Sequence, residues 1–143
     1  MRTIIAAAVA VLLAGPAGAE IIASCGPLAG HSYFYPHEFS KEPGWRDGSI
    51  KTTTIFVKSG DKLDLIIKGK NLLGEGTWTR SASDYGAPVV QVGGKAGEIM
   101  HILVAWGPDT ELYSLDLKRK MVGLVAHKTS VADLTRAMVG RCE

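Results

Sequence analysis

The chain has 143 residues, of which 46% are hydrophobic and 21% charged, and its formal net charge is +2. This length and composition suit one globular domain with a core of its own. A mild excess of Lys and Arg in residues 118–143 is typical of a solvated face, although it would also suit an anionic partner. The dense basic stripe of a nucleic-acid binder is missing, so we expect no nucleic-acid partner.

Residues 1–19 have the pattern of a secretory signal peptide. Arg2 supplies the positive start, an apolar run follows, and Ala17–Ala19 offers the small residues that a signal peptidase accepts. The apolar run, about 11 residues, is well short of the ~20 that span a bilayer. We therefore predict that cleavage leaves residues 20–143 as a single β-rich domain, periplasmic or secreted, with no transmembrane segment.

Cys25 and Cys142 are the two cysteines of the chain, and they lie near the two ends of the predicted domain. An even count in an exported chain predicts a disulfide, which here would close the domain. An alternative is that Ile22–Cys25 acts as a lipobox, which would anchor Cys25 to lipid and leave Cys142 unpaired. Glu20 separates that tetrapeptide from the apolar run, which favours the disulfide.

Eight short segments rich in Thr, Val, Ile and aromatic residues alternate with turn signals that contain Gly or Pro. They lie at 31–35, 50–57, 62–68, 76–83, 88–92, 98–106, 111–117 and 121–127. This spacing predicts an all-β fold, an antiparallel meander of about eight strands that forms a barrel or a sandwich. The segment 98–106 is the most apolar, so we place it at the centre of the sheet.

The C-terminal segment predicts one short helix over residues 131–138. Ser130 and Asp133 form a capping-box pattern, and Leu134 and Met138 recur at helical spacing. Gly140 is placed to end such a helix and to return Cys142 toward Cys25.

Residues for catalysis, metal binding or cofactor binding do not form a recognisable motif. The four histidines, His31, His37, His101 and His127, lack the close pairing of a zinc site, and we place His101 in the core or half-buried. The loop 93–97 lacks the Lys-Ser/Thr ending of a phosphate loop, so it predicts a hairpin. We therefore assign no catalytic residue, metal or cofactor.

Four carboxylates lie on predicted strands or beside them: Asp64, Glu98, Glu111 and Asp116. Acidic residues that alternate along strands are expected on the solvent face. An enzymatic role would need two of them, or one of them and a histidine, to converge in a cleft.

Aromatic residues concentrate near the start of the domain, since five of the ten lie within residues 33–45. Period-2 alternation places His31, Tyr33 and Tyr35 on one face of a strand, with Phe34 on the other. Together with His37 and Trp45, these three form our candidate surface for a ligand or a protein partner. The alternative is that the rings only close one end of the fold.

The two ends of the domain carry a pattern, C-G-x-x-x-G-x-x-Y at the start and V-G-x-C at the end. This pattern resembles that of small exported proteins of uncharacterised function from Gram-negative bacteria. The residues that carry the likeness are Cys25, Gly26, Gly30, Tyr33, Tyr113, Gly140 and Cys142. The resemblance implies structural roles for them and supplies no reaction.

A weaker resemblance is to calycin-type barrels, which include the lipocalins and some periplasmic protease or lysozyme inhibitors. It rests on size, export and a meander of about eight strands. The G-x-W opening of lipocalins is replaced here by Gly30 followed by His31, Ser32 and Tyr33. The resemblance implies a barrel with a ligand interior.

These observations favour an exported, non-enzymatic β-domain of the cell envelope that binds a protein partner or a small apolar ligand. Two alternatives stay open. One is a periplasmic hydrolase that uses a carboxylate with His37 or His101, and the other is a structural envelope protein. The sequence does not specify an oligomeric state.

Overall fold

The computed structural model of the protein describes residues 18–36, 42–71, 75–130 and 133–143. These residues form ten β-strands and one 3₁₀ turn at Ser83–Tyr85. The strands are β1 (Glu20–Phe34), β2 (Gly44–Ile50), β3 (Thr53–Ser59), β4 (Lys62–Lys70), β5 (Thr77–Ser81), β6 (Val89–Lys95), β7 (Ile99–Trp106), β8 (Asp109–Asp116), β9 (Met121–Lys128) and β10 (Leu134–Cys142). Within these ranges, no helix has the length and apolar character needed to cross a membrane.

All ten strands belong to one antiparallel sheet that curls into a half-barrel. The strand order is β5-β4-β3-β1-β10-β9-β8-β7-β6, and β2 pairs with β1 beside this path. The all-β, antiparallel class predicted from the sequence is confirmed, in the form of a single curled sheet. The segment 98–106, expected at the centre, is second from the edge, because β1 and β10 occupy the middle.

Strand β1 organises the sheet because it has partners along its whole length. Its first half, through Cys25, pairs with β3, and its second half, from Leu28, pairs with β2. On its other side it pairs with β10 from Cys25 to Phe34, with a shift in register between Cys25 and Leu28. The sequence predicted only residues 31–35 of this strand as extended.

The prediction of a C-terminal helix over residues 131–138 is wrong, because Leu134–Cys142 forms strand β10. Residues 131–132, where that helix would begin, lie outside the described residues. Leu134 and Met138, which match a helical period, are also in phase for a strand, and both are buried together with Gly140 and Cys142. The Ser130 hydroxyl donates to Asp109 Oδ2 at 2.6 Å, so its partner is a carboxylate on β8.

The predicted disulfide is present and joins Cys25 on β1 to Cys142 on β10. The two cysteines are directly paired in register across the middle of the sheet. The bridge therefore closes a chain segment of 117 residues, which includes nearly all of the fold.

Two glycines of the terminal pattern have a steric role in the same place. A Cβ atom on Gly30 would collide with the backbone oxygen of Ala137 on β10. One on Gly140 would lie 2.8 Å from the carbonyl oxygen of Pro27 on β1. Glycine at both positions therefore allows the two central strands to approach each other closely.

The core fills the concave face of the half-barrel. Its largest fully buried side chains are apolar: Phe56, Leu28, Leu65, Ile102, Leu115, Leu124, Val104 and Val122. The rings of Phe56 on β3 and Tyr113 on β8 meet edge to face, with 5.2 Å between their centroids. This contact joins the two halves of the curled sheet across its interior.

Candidate functional site

The concave face has a cleft at each end, and the core lies between them. Along β8 and into the turn after it, Tyr113 and Leu115 separate Glu111, at one end, from Leu117, at the other. Along β7, Ile102 and Val104 separate Met100 from Trp106 in the same way. We call the cleft near Leu117 the apolar mouth and the cleft near Trp106 the polar cleft.

The apolar mouth is a cleft of about 800 Å³ on the open side of the half-barrel, where β4 approaches β6. Its walls come from the starts of β1, β4, β6 and β7, from the end of β3 and from Leu117, which directly follows β8. The apolar side chains that line it and pack against the core are Ile22, Leu63, Val89, Met100 and Leu117. Four of them are only half-buried, so apolar surface remains open to the cleft.

Charged side chains stand at the rim of the apolar mouth. Lys58 and Lys62 contribute two positive charges, and Glu20 and Asp61 contribute two negative charges. All four are exposed, so water solvates them and the apolar floor lies behind them. This arrangement resembles a ligand pocket, which combines apolar walls with a few polar groups at the entrance.

The polar cleft, of about 400 Å³, is lined by Arg80, Tyr85, Trp106, Asp109, Glu111 and Lys128 with Ile67, Gly107 and Ser130. Its inner wall carries two buried carboxylates, Asp109 and Glu111. These residues face inward because they share the phase of Tyr113 and Leu115 on β8. Glu111 therefore does not lie on the solvent face, where the sequence analysis placed it.

Both carboxylates of the polar cleft are held by several donors. Trp106 Nε1 and the Tyr113 hydroxyl donate to Glu111 Oε2 at 2.9 and 2.8 Å, and Lys128 Nζ donates to Glu111 Oε1. The backbone N–H groups of Thr129 and Ser130 donate to Asp109 Oδ1 at 2.8 and 3.0 Å. Buried charges are tolerated when they are paired and hydrogen-bonded in this manner.

The network also sets the protonation of two of its members. Burial by itself would raise the pKa of Asp109, but the hydrogen bonds from Ser130 and Thr129 and the charge of Lys128 outweigh it, so this pKa is lowered. Burial, the Glu111 charge and the hydrogen bond to Glu111 raise the pKa of Tyr113 well above its ordinary value. Asp109 is therefore ionised at neutral pH, whereas Tyr113 keeps its phenolic proton and donates it in a hydrogen bond to Glu111.

The convex face carries the aromatic surface predicted from the sequence. The Tyr33 ring lies edge to face with Tyr35 and Trp45, at centroid distances of 5.1 and 5.4 Å. His31 Nδ1 lies 2.7 Å from Asp47 Oδ1, beside Tyr33 on the same face. Trp45 belongs to β2 and is 65% exposed.

One residue that the sequence analysis did not include also joins this surface. The His127 ring on β9 lies 6.3 Å from that of Tyr35, and His127 Nδ1 lies 3.1 Å from Thr135 Oγ1. His37, the fifth predicted member, lies outside the described residues. We use "aromatic surface" for His31, Tyr33, Tyr35, Trp45 and His127.

The histidine–carboxylate site considered for a hydrolase does not form around His101. This side chain is half-buried on the convex face, and its Nδ1 lies 2.9 Å from Ser114 Oγ. Three other candidate carboxylates have partners that are not histidines. Asp64 accepts a hydrogen bond from the Ser83 hydroxyl. Glu98 forms ion pairs with Lys95 and Lys118, and Asp116 forms one with Arg119. Across the described ranges, no group of three or more His, Cys, Asp and Glu side chains is arranged to hold a metal ion.

The polar cleft is the feature that sequence reasoning missed, although one signal for it was present. Glu111 is two residues from Tyr113 and four from Leu115, so the alternation that buries those two also buries Glu111. Its partner Lys128 ends β9 in phase with Leu124 and Ala126, which are buried. A carboxylate and a lysine in phase with core residues of neighbouring strands indicate a paired buried site.

No protein-family model, curated protein or solved structure matches this chain. Its function is therefore argued from the geometry of the two clefts and of the aromatic surface.

Proposed function

We propose that this chain is an exported, non-enzymatic binding domain of the cell envelope that holds a small apolar ligand in the apolar mouth. The observation that carries the proposal is the volume of about 800 Å³ bounded by half-buried apolar side chains. Ligand pockets have volumes in this range and are mostly apolar. Burial of apolar surface stabilises a complex by about 25 cal/mol per Å² before the cost of association.

The neutral dye N-phenyl-1-naphthylamine provides a first test, since it fluoresces when it leaves water for an apolar site. We expect saturable binding to the wild-type protein. Leu63→Trp fills the mouth from β4 and Leu117→Trp fills it from the end of β8, so each is expected to weaken dye binding about tenfold or more. Val125→Trp, on the exposed part of the convex face, is the matched control and is expected to bind as the wild type does.

The proposal fails if the wild-type protein shows no saturable dye binding. It also fails if Leu63→Trp and Leu117→Trp, with circular dichroism spectra like the wild type, bind the dye with unchanged affinity. Two variants on different strands are used because a fold defect in one would leave the other informative.

The aromatic surface favours a second function, which is binding of a protein partner. Trp and Tyr side chains dominate the energetics of many interfaces, and Trp45 exposes 65% of its surface next to Tyr33. The pairing of His31 with Asp47 supplies a polar neighbour for these rings. The rings are in mutual contact already, so the surface needs little ordering on binding.

A photo-crosslinking residue in place of Trp45 tests this second function in the cell that produces the protein. We expect a discrete protein adduct of one mass from position 45 and none from Arg119, an exposed position in the turn between β8 and β9. The same adduct pattern from both positions, or none from position 45, contradicts a partner site on the aromatic surface.

A further inference from the structure

The polar cleft has its acceptors occupied. Asp109 Oδ1 accepts hydrogen bonds from two backbone N–H groups, and its Oδ2 accepts one from the Ser130 hydroxyl. Glu111 Oε2 accepts hydrogen bonds from Trp106 and Tyr113, and its Oε1 accepts one from Lys128. The two carboxylates are therefore committed to the fold and have little capacity left for a ligand.

The cations of the polar cleft, in contrast, keep unused donors. Arg80 is exposed on β5, and its guanidinium lies 4.7 Å from the Tyr85 ring centre and 5.8 Å from that of Trp78. A guanidinium that stacks on aromatic rings uses its planar face, so the N–H groups around its edge remain available to donate hydrogen bonds. Lys128 Nζ has three N–H donors, of which Glu111 takes one, while Asp109 Oδ2 is 3.8 Å away.

A third cation, Arg136, shares the inward phase of Leu134 and Met138 on β10. It lies in register with Ala126, which pairs with Glu111. Arg136 on β10 lies near enough to Tyr113 to counteract the rise in its pKa. Its Nε atom is fully buried and has no hydrogen-bond partner in the described part of the chain. Arg80, Lys128 and Arg136 against Asp109 and Glu111 give these five side chains together a formal net charge of +1.

The walls of the cleft are partly aromatic. The Tyr85 and Trp106 rings meet edge to face at 6.4 Å, and both line the cleft together with Arg80. Its volume of about 400 Å³ lies within the range that holds small organic molecules. Rings beside cations with free donors suit a molecule that has one apolar part and one anionic group.

We infer that the polar cleft binds a small organic anion, whose carboxylate or phosphate group lies between Arg80 and Lys128 and whose apolar part lies against Tyr85 and Trp106. Arg80 binds the anion through its planar fork, and the carboxylates hold Lys128 in place beside it. This site is separate from the apolar mouth, because the core residues Tyr113 and Leu115 lie between them. The inference does not depend on the function proposed for the mouth.

The experiment uses the indole N–H signal of Trp106 in a ¹H–¹⁵N correlation spectrum of the full chain, assigned by its loss in Trp106→Phe. Benzoate, phenyl phosphate and the neutral benzyl alcohol are titrated separately at constant ionic strength. We expect saturable shifts with at least one anion and none with benzyl alcohol. The two anions distinguish a carboxylate site from a phosphate site.

Two variants decide whether Arg80 carries the binding. Arg80→Gln is expected to weaken binding of the anion about tenfold or more. Lys70→Gln removes an exposed cation from the end of β4, the strand paired with β5, and is expected to leave binding unchanged. Arg80 is exposed, so its replacement is expected to leave the fold intact, which the spectrum itself reports.

The inference is overturned by any of three results. The first is an absence of saturable shift at Trp106 with both anions. The second is equal binding of benzyl alcohol, which would show an apolar site with no role for charge. The third is equal weakening by Arg80→Gln and Lys70→Gln, which would show attraction to net charge alone.

Discussion

The two ends of the concave face share strands β4, β7 and β8, the last with the residue that follows it, and differ in the residues that these strands place there. At the apolar mouth, Leu63 and Leu117 leave apolar surface open to a cleft. At the polar cleft, Asp109 and Glu111 are buried and each accepts several hydrogen bonds. We expect the hydrogen-bond network of the polar end to stabilise the fold more than the half-buried side chains of the apolar end do.

The largest effect is expected from removal of the disulfide, which belongs to neither end. Replacing Cys25 and Cys142 with alanine removes a bridge over 117 residues, so the free energy of unfolding should fall by about 4 kcal/mol. Urea unfolding followed at Trp106 and by dye release from the mouth is expected to show both midpoints shifted equally. Separate midpoints would show that the two ends unfold independently and would contradict a single cooperative domain.

The next effect tests the polar end alone. Glu111→Ala removes the hydrogen-bond acceptor of Trp106, Tyr113 and Lys128. We therefore expect the free energy of unfolding to fall by about 3 kcal/mol in this variant. The matched control is Glu98→Ala, because Glu98 pairs with exposed Lys95 and Lys118 and is expected to contribute less than about 1 kcal/mol. Equal effects of the two substitutions in urea unfolding would contradict a stabilising network.

A third prediction concerns pH and Asp109. The pKa of Asp109 is lowered in the folded protein, so its contribution is present above the ordinary value of about 3.9 and is lost as pH falls through the folded pKa. Asp109→Asn is expected to lower stability by about 2 kcal/mol near neutral pH, because the hydrogen bonds to a charged acceptor weaken.

The measurement is urea unfolding of both proteins from about pH 7 down to about pH 3, a window that spans the ordinary pKa of aspartate. The two proteins differ by one carboxyl group, so the difference in their stability reports on Asp109. We expect this difference to shrink as the pH falls. A difference that stays constant would show that Asp109 contributes through its shape and not through its charge.

The smallest effect is expected at the apolar mouth. Leu117→Ser exchanges a half-buried apolar side chain for a small polar one and should cost about 1 kcal/mol of stability. The same change is expected to weaken binding of N-phenyl-1-naphthylamine, which no substitution at Glu98 should do. A loss of stability as large as that of Glu111→Ala would show that Leu117 belongs to the closed core.

The sequence was sufficient for features that depend on local alternation. Tyr33 and Phe34 lie on opposite faces as period 2 requires, and Tyr113 and Leu115 point into the core. The disulfide was predicted because the chain is expected to be exported and has two cysteines, and the structure places Cys25 directly opposite Cys142. The all-β class also followed from turn spacing.

Features that depend on long-range pairing were not accessible in this way. Leu134 and Met138 fit a helix and a strand equally well, and pairing with β1 and β9 selects the strand. The polar cleft combines residues from β4, β5, β7, β8 and β9 and the 3₁₀ turn, and the spacing of these residues in the sequence carries no motif. Curvature of one sheet into a half-barrel is likewise a property of all its strands together.

The central claim is that the apolar mouth is the ligand site, and methyl NMR with N-phenyl-1-naphthylamine tests it most directly. If the dye occupies the apolar mouth, we expect saturable shifts at the methyl groups of Ile22, Leu63, Val89 and Leu117, with no change at Val125 and Val139 on the convex face. Shifts that appear at Val125 and Val139 and leave the mouth unchanged would contradict this claim.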